Sequence, residues 1–224
     1  QREKGTVLEH LKRSLNFTRT HLGKHGLPLL GFADWNDCMN LPLGAESSFN
    51  TGLYAKALLE MMDICEALGD TASVEMYKGW YEDVKKAFND SAWDGKWWVR
   101  WFDKQGNAYG TNKAKYGKIY CNSQSWSVIS GIASGERAVM GMDSLNKLLN
   151  TANGVKSSTP GYRGFDPNVG GISTYPPGAK ENGGIFLHTN PWVMIAETIL
   201  GRGDKAFQYY SQINPAAKNT KLDE

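Results

Sequence analysis

The sequence predicts a mainly α-helical protein: an α/α toroid, incomplete in this chain, in which helix pairs surround a central pocket and one β-hairpin is inserted. Three observations predict it. Apolar residues recur at helical spacing in about seven segments along the chain. Short connections join several of these segments, which implies antiparallel neighbours. One aromatic and β-branched stretch, Lys96-Trp97-Trp98-Val99-Arg100-Trp101-Phe102-Asp103, breaks the helical pattern.

The first helix is predicted over 6–22, where Val7, Leu8, Leu11, Leu15 and Leu22 share a stripe; Gly23, Gly26 and Pro28 stop it. A long loop, 26–46, follows, and its centre, 31–40, is rich in turn formers and polar groups. The second helix spans 48–68 with Leu53, Leu58, Leu59, Met62 and Cys65 as core positions, and Gly69 ends it. Asp70 caps a third helix reaching Phe88, with Val74, Tyr77, Tyr81, Val84 and Phe88 on one face. The stretch 96–103 and the turn Lys104-Gln105-Gly106-Asn107 make the hairpin. Helices resume over 123–132 and 136–149. A Pro- and Gly-rich loop, 157–184, comes next, and such long segments inside compact domains are usually functional. Asn190 and Pro191 supply an N-cap and first turn for a helix to Leu200, and 204–213 is the last helix. Six helix pairs need about twelve helices of average length, more than 224 residues hold, so residues 1–224 read as part of one barrel domain. The opening Gln1-Arg2-Glu3-Lys4, neither a signal peptide nor a natural initiator, fits a piece cut from a longer protein.

Composition narrows the function. A net charge of +2 without a basic stripe speaks against nucleic acid. No apolar run approaches the roughly 18 residues of a membrane span. Cys38, Cys65 and Cys121 are odd in number and lack metal-type spacing, which disfavours a disulfide framework and fits a reducing cytoplasm. His10, His21, His25 and His188 form no paired-ligand motif, so no structural metal is expected. Eight tryptophans and ten tyrosines stand beside plentiful Gly, Asn and Asp. Large aromatics fill cores, and indoles also stack on the C–H faces of sugars; composition leaves both readings open.

Two constellations carry candidate chemistry. In Asp34-Trp35-Asn36-Asp37, a carboxylic acid beside an indole has the character needed to protonate a departing glycosidic oxygen, and two aspartates three residues apart can split the work, one structural and one facing substrate. The competing reading is an ordinary Asx-turn cluster ahead of a helix. In the second, 180–192, Gly183-Gly184 permits close backbone approach, and His188 precedes a helix N-terminus, where a phosphate suits an imidazolium. Against that, Asn190 can cap the helix while His188 merely hydrogen-bonds a carbonyl. Gln124-Ser125-Trp126 opens a helix and faces either pocket or core, and Tyr162–Asp166 and Tyr175–Gly178 are either walls for a sugar or loop packing.

At these motifs the sequence resembles the glycoside hydrolase family 94 phosphorylases, which include the cellobiose, cellodextrin and chitobiose enzymes. Gly31-Phe32-Ala33-Asp34-Trp35-Asn36-Asp37-Cys38-Met39-Asn40 is similar to the family's catalytic loop, and 122–131 and 180–192 are similar to two further blocks in the family's order. Ala33, Pro42–Ser47 and Thr174–Ala179 look most like the cellodextrin phosphorylases. The resemblance implies an (α/α)6 barrel and inverting phosphorolysis of β-1,4-linked gluco-oligosaccharides (cellodextrin, cellobiose) to α-glucose 1-phosphate, with the reverse synthesis. It makes Asp37 the general acid, Trp35, Asn36, Glu181 and Gln124 sugar-binding positions, and His188 a phosphate ligand. No cofactor is implied, because inorganic phosphate is a co-substrate, and family members are often dimers, so a homodimer of the full-length protein is expected. An arginine-bearing segment, a Ser/Thr-Gly phosphate contact, closing helices and an N-terminal β-sandwich fall outside 1–224. The rival readings are an inverting glucosidase with Asp37 as acid and Glu181 as base, a non-catalytic glucan-binding fragment, and a phosphorylase for another acceptor such as cellobionic acid or laminaribiose.

Overall fold

The computed structural model describes residues 4–133 and 135–219; Gln1-Arg2-Glu3, read above as a cut end, lies outside them. The first helix, α1 (Val7–Thr20), opens with a reciprocal cap: the Thr6 hydroxyl accepts from the Glu9 amide at 3.2 Å while the Glu9 carboxylate accepts from the Thr6 amide at 2.6 Å. It ends two residues before the predicted stop because Leu22 leaves the helix to bridge Pro28. Strand β1 (Glu46–Ser47) leads straight into α2 (Ser48–Ala67), and Asp70 caps α3 (Thr71–Ser91), accepting from the Ser73 amide. The predicted stripe Tyr77, Tyr81, Val84, Phe88 is the buried face of α3. On α2 the expected core position Leu53 is instead exposed, and Leu58, Met61 and Cys65 carry the burial.

The hairpin forms as β2 (Trp101–Phe102) against β3 (Ala108–Tyr109), and β1 adds to its other edge, giving an antiparallel sheet in the order β1-β2-β3 with Glu46 opposite Phe102. Beyond it, β4 (Ile119–Tyr120) runs into α4 (Cys121–Ile129), followed by α5 (Gly135–Leu149). Strands β5 (Asn150–Thr151) and β6 (Gly154–Val155) make a tight pair, and β7 (Ser158–Thr159) returns to β4. The chain then forms a long irregular segment before α6 (Asn190–Ile199) and α7 (Gly203–Ile213). Asn190 is not the predicted cap. Its side chain instead bridges to β6, accepting from the Val155 amide at 2.7 Å and donating to the Val155 carbonyl at 3.1 Å, and Thr189 holds the cap position without a side-chain bond.

Of the seven helices among the described residues, α1 packs on α2 and the other six make three consecutive hairpins: α2 packs on α3, α4 on α5, α6 on α7. The first members also pack on one another, α2 on α4 and α4 on α6, so they form an inner row with α3, α5 and α7 outside. The α2–α4 approach is close because Gly52 faces Trp126; a Cβ there would stand 2.9 Å from that of Trp126. A second, smaller core sits under the loops, built on Leu30, Met39, Leu41, Trp101, Tyr120 and Ile172. That second core holds the 31–45 loop in one shape. Among the described residues, no helix is long and apolar enough to cross a membrane, and the three cysteines are free and buried.

Candidate active site

Two inner helices are entered from segments that sequence analysis singled out, α2 from the 31–46 loop and α6 from 180–189, and α4 is entered from β4. The first turns of α2 and α6 meet, since Phe49 and Trp192 lie 5.6 Å apart between ring centroids. Segments that precede them are thereby brought to one face of the protein.

The two aspartates divide as one structural and one exposed group. The Asp34 side chain is fully buried and takes five donors: Nη1 and Nη2 of Arg100 at 2.7 and 2.8 Å, the Ser47 hydroxyl at 2.6 Å, the Trp101 indole at 3.2 Å and the Asn36 amide at 2.9 Å. Burial alone pushes its carboxyl up, but the charge and hydrogen bonds of Arg100, with those of Ser47 and Asn36, outweigh it and hold Asp34 below the usual carboxylate range. Asp34 is therefore a locked anion that ties the loop to β2 and to the N-cap of α2. Asp37, one turn further on, is exposed.

Asp37 does not stand alone. Among the described residues, Asp37, Cys38 and Glu181 bring one carboxylate, thiol and carboxylate atom within 4.8 Å of one another. Burial, then the charges of Glu181 and Asp37, push the Cys38 thiol up to about 12, and its Sγ donates to Asn36 Oδ1 at 2.9 Å. A protonated, committed thiol is a poor metal ligand. The Glu181 backbone is fixed by Ser157 Oγ, which donates to its carbonyl at 3.0 Å, and Glu181 Oε2 is buried without a hydrogen-bond partner among the described residues. The turn that presents Glu181 needs its glycines. Gly183 adopts φ of +84°, and a Cβ on Gly184 would come within 2.5 Å of the Lys180 carbonyl.

The same two segments meet a second time. Trp35 Nε1 donates to His188 Nδ1 at 2.9 Å, and His188 sits exposed in a short 3-10 turn, Leu187–Thr189, directly ahead of α6. Indole N–H only donates, so Nδ1 accepts and the ring proton is on Nε2. His188 is thus an N–H donor at its free nitrogen rather than the imidazolium expected from sequence. Around the pair stand Phe186 and Trp192 against Trp35, and Phe49 and Trp126 against Trp192. Trp126, left between core and pocket by the sequence, is a half-buried member of this aromatic wall.

Two expected sugar-binding positions are corrected. Asn36 is buried, with its side chain turned to Cys38, because the Asx turn closed by Asp34 draws it inward. Gln124 is fully buried on α4, where it donates to the Trp98 carbonyl at 2.8 Å and accepts from the Trp98 amide at 3.0 Å, tying the helix to the segment ahead of β2. Trp35, Asp37, Glu181 and His188 are brought together. Arg100 was missed. Its signal is the one charge in an otherwise apolar aromatic run, which cannot be buried without a partner.

Concavities of about 440 and 380 Å³ lie elsewhere, between α1 and α2 and beside Tyr109–Tyr116, and neither includes Asp37. Burial, charge pairing and mutual contact, rather than hollow volume, mark the site.

In sequence the chain is 36% identical over 98% of its length to an N,N'-diacetylchitobiose phosphorylase of Vibrio proteolyticus, and 36% identical over 95% to a 3-O-β-D-glucopyranosyl-β-D-glucuronide phosphorylase of Paenibacillus borealis. It spans 28% of the length of each. A rhamnosidase from Klebsiella oxytoca with rhamnose bound shares the fold, with a TM-score of 0.62 and 14% identity over 95% of this chain and 33% of that one. A GH78 family rhamnosidase of Bacillus sp. GL1 gives 0.61, at 15% identity, over 92% and 18%. The family model described as Glycosyl hydrolase 94 superfamily, catalytic domain, matches residues 1–224. The chain belongs to the glycosyl hydrolase 94 superfamily, within its catalytic domain.

Proposed function

We propose that this chain is an arc of a closed (α/α)6 barrel whose full-length protein cleaves β-linked gluco-oligosaccharides with inorganic phosphate, by inversion. One observation carries the reading: a single exposed carboxylic acid, Asp37, shares a face with an N–H-donating histidine at the start of α6, joined to it through Trp35. The N-terminal end of α6 adds a positive dipole end for the anion, while the Asn190 amide is bonded to the Leu187 carbonyl and Pro191 has no N–H to offer. Asp37 gives its proton to the glycosidic oxygen as the C1–O bond breaks. A phosphate oxygen forms the new bond at C1 from the opposite face, so a β-glycoside yields an α-glycosyl 1-phosphate. Phosphate is already an anionic nucleophile, so the chemistry asks for no second protein base and no cofactor. Glu181 Oε2, an acceptor without a donor, suits a sugar hydroxyl.

The hydrolytic alternative fits less well. An inverting hydrolase needs its carboxyl groups about 6.5–9.5 Å apart to seat a water, whereas oxygens of Asp37 and Glu181 lie within 4.8 Å. The phosphorylases named above, at 36% identity, also support phosphorolysis. For the donor we favour cellodextrins, on the strength of Ala33, Pro42–Ser47 and Thr174–Ala179. The last of these is tied beside Glu181, since Asn182 donates to the Tyr175 carbonyl at 2.7 Å.

The test is to incubate the full-length protein with cellotetraose, with and without phosphate, and to run an acceptor panel in the synthetic direction from α-glucose 1-phosphate. Phosphate-dependent formation of the α-anomer, with chain extension on cello-oligosaccharides, is expected. Phosphate-independent glucose release points to the hydrolase, β-glucose 1-phosphate to a double displacement, and acceptance of only N-acetylglucosamine or glucuronide units to another specificity.

A further inference from the structure

We propose that Trp35 is a positioning residue for phosphate: its indole N–H, held on His188 Nδ1, fixes the imidazole so that Nε2–H is aimed at the anion. The proposal rests on the reading of His188 as a phosphate ligand and adds to it a residue that acts through His188. The hydrogen bond is 2.9 Å long and joins residues 153 positions apart, so it exists only because the two segments meet.

Neither ring is free to turn away. Trp35 stands edge-on to Phe186 at 5.0 Å and to Trp192 at 5.7 Å between centroids. His188 lies 4.8 Å from Trp192 and 5.8 Å from Trp35, so the three rings form a triangle in mutual contact. Trp192 is itself braced by Phe49 and Trp126. Histidine has two ring nitrogens and, when neutral, one proton; which nitrogen holds it follows from the bond the other makes. A donor that cannot accept, placed on Nδ1, excludes the Nδ1–H tautomer and leaves Nε2 as the donor. The polar edge of the Trp35 indole is thereby spent on His188, and only its ring remains for a sugar.

Trp35→Phe removes the N–H and keeps an aromatic ring. In the full-length protein this variant should raise KM for inorganic phosphate about 3- to 10-fold, the size of one net hydrogen bond, and raise it more than KM for cellotetraose. The effect on phosphate should vanish when His188 is already Ala, because coupled residues are non-additive. Nitrogen NMR of the ring-labelled protein should find the His188 proton on Nε2 in the wild type and redistributed toward Nδ1 in Trp35→Phe, a change that loose packing alone would not produce. A Trp35→Phe effect confined to the sugar, or one that adds in full to that of His188→Ala, overturns the proposal alone. An unchanged phosphate KM in His188→Ala overturns the phosphate assignment and the proposal with it. A wild-type His188 protonated on Nδ1 refutes the positioning role whatever the kinetics.

Discussion

Asp34 and Asp37 are the same residue type three positions apart, and their neighbours alone make them different. Asp34 meets a guanidinium 66 residues away in sequence, and both side chains are almost wholly excluded from water. Removing one partner of such a pair leaves a bare buried charge, so Arg100→Met should destabilise the protein by about 3–5 kcal/mol. The pH dependence has a definite sign. Asp34 is held lower in the folded protein than in the unfolded chain, so its contribution is complete above its ordinary value of about 3.9 and is lost as pH falls below it. Thermal unfolding of wild type and Arg100→Met should therefore differ most at neutral pH and converge in acid; a gap that is constant down to pH 3 would contradict this. That one aspartate is structural was legible from the doublet. Which one was not, because the deciding residue, Arg100, is brought in by the hairpin. Asn36 and Gln124 misled for a related reason: Cys38 occupies the Asn36 side-chain oxygen within a turn, and the distant Trp98 backbone satisfies Gln124.

At the scale of helices, local patterns spoke clearly where a stripe faces a sequence neighbour. Tyr77, Tyr81, Val84 and Phe88 recur at helical spacing and pack α3 onto α2 as read. Leu53 has the same chemistry but borders the open groove between α1 and α2, so periodicity alone placed it wrongly. The inner row depends on a feature no periodicity reveals, the absence of a side chain at Gly52. Gly52→Ala would press a methyl into Trp126 and should cost about 1–3 kcal/mol through displacement of α2 from α4. Gly79, exposed on α3 with nothing near its missing Cβ, is the matched control, and Gly79→Ala should stabilise by about 0.5–1 kcal/mol. Denaturant titration of the two variants tests the pair; equal effects would mean that the α2–α4 approach tolerates a methyl.

Across the whole molecule, helix hairpins form the frame and irregular segments carry the candidate site residues. The loops at the site are held by their own core and by backbone ties, such as the Ile172 amide donating to the Cys38 carbonyl at 2.7 Å, so Asp37 is presented by an ordered loop. The helical architecture, the hairpin and the two functional segments were readable because each is written in contiguous residues. Their convergence was not, since it depends on how the inner helices stack, and the resemblance to a known family supplied what spacing left open. In the proposed reaction one protein acid assists departure while phosphate does the attacking. The most direct measurement compares wild type with Asp37→Asn on two donors, a cello-oligosaccharide and a dinitrophenyl β-glucoside whose leaving group needs no proton. A loss of about 10²- to 10⁴-fold is expected on the oligosaccharide, with phosphate-dependent release of dinitrophenol largely retained. Wild-type rates on the oligosaccharide, or equal losses on both donors, would contradict it.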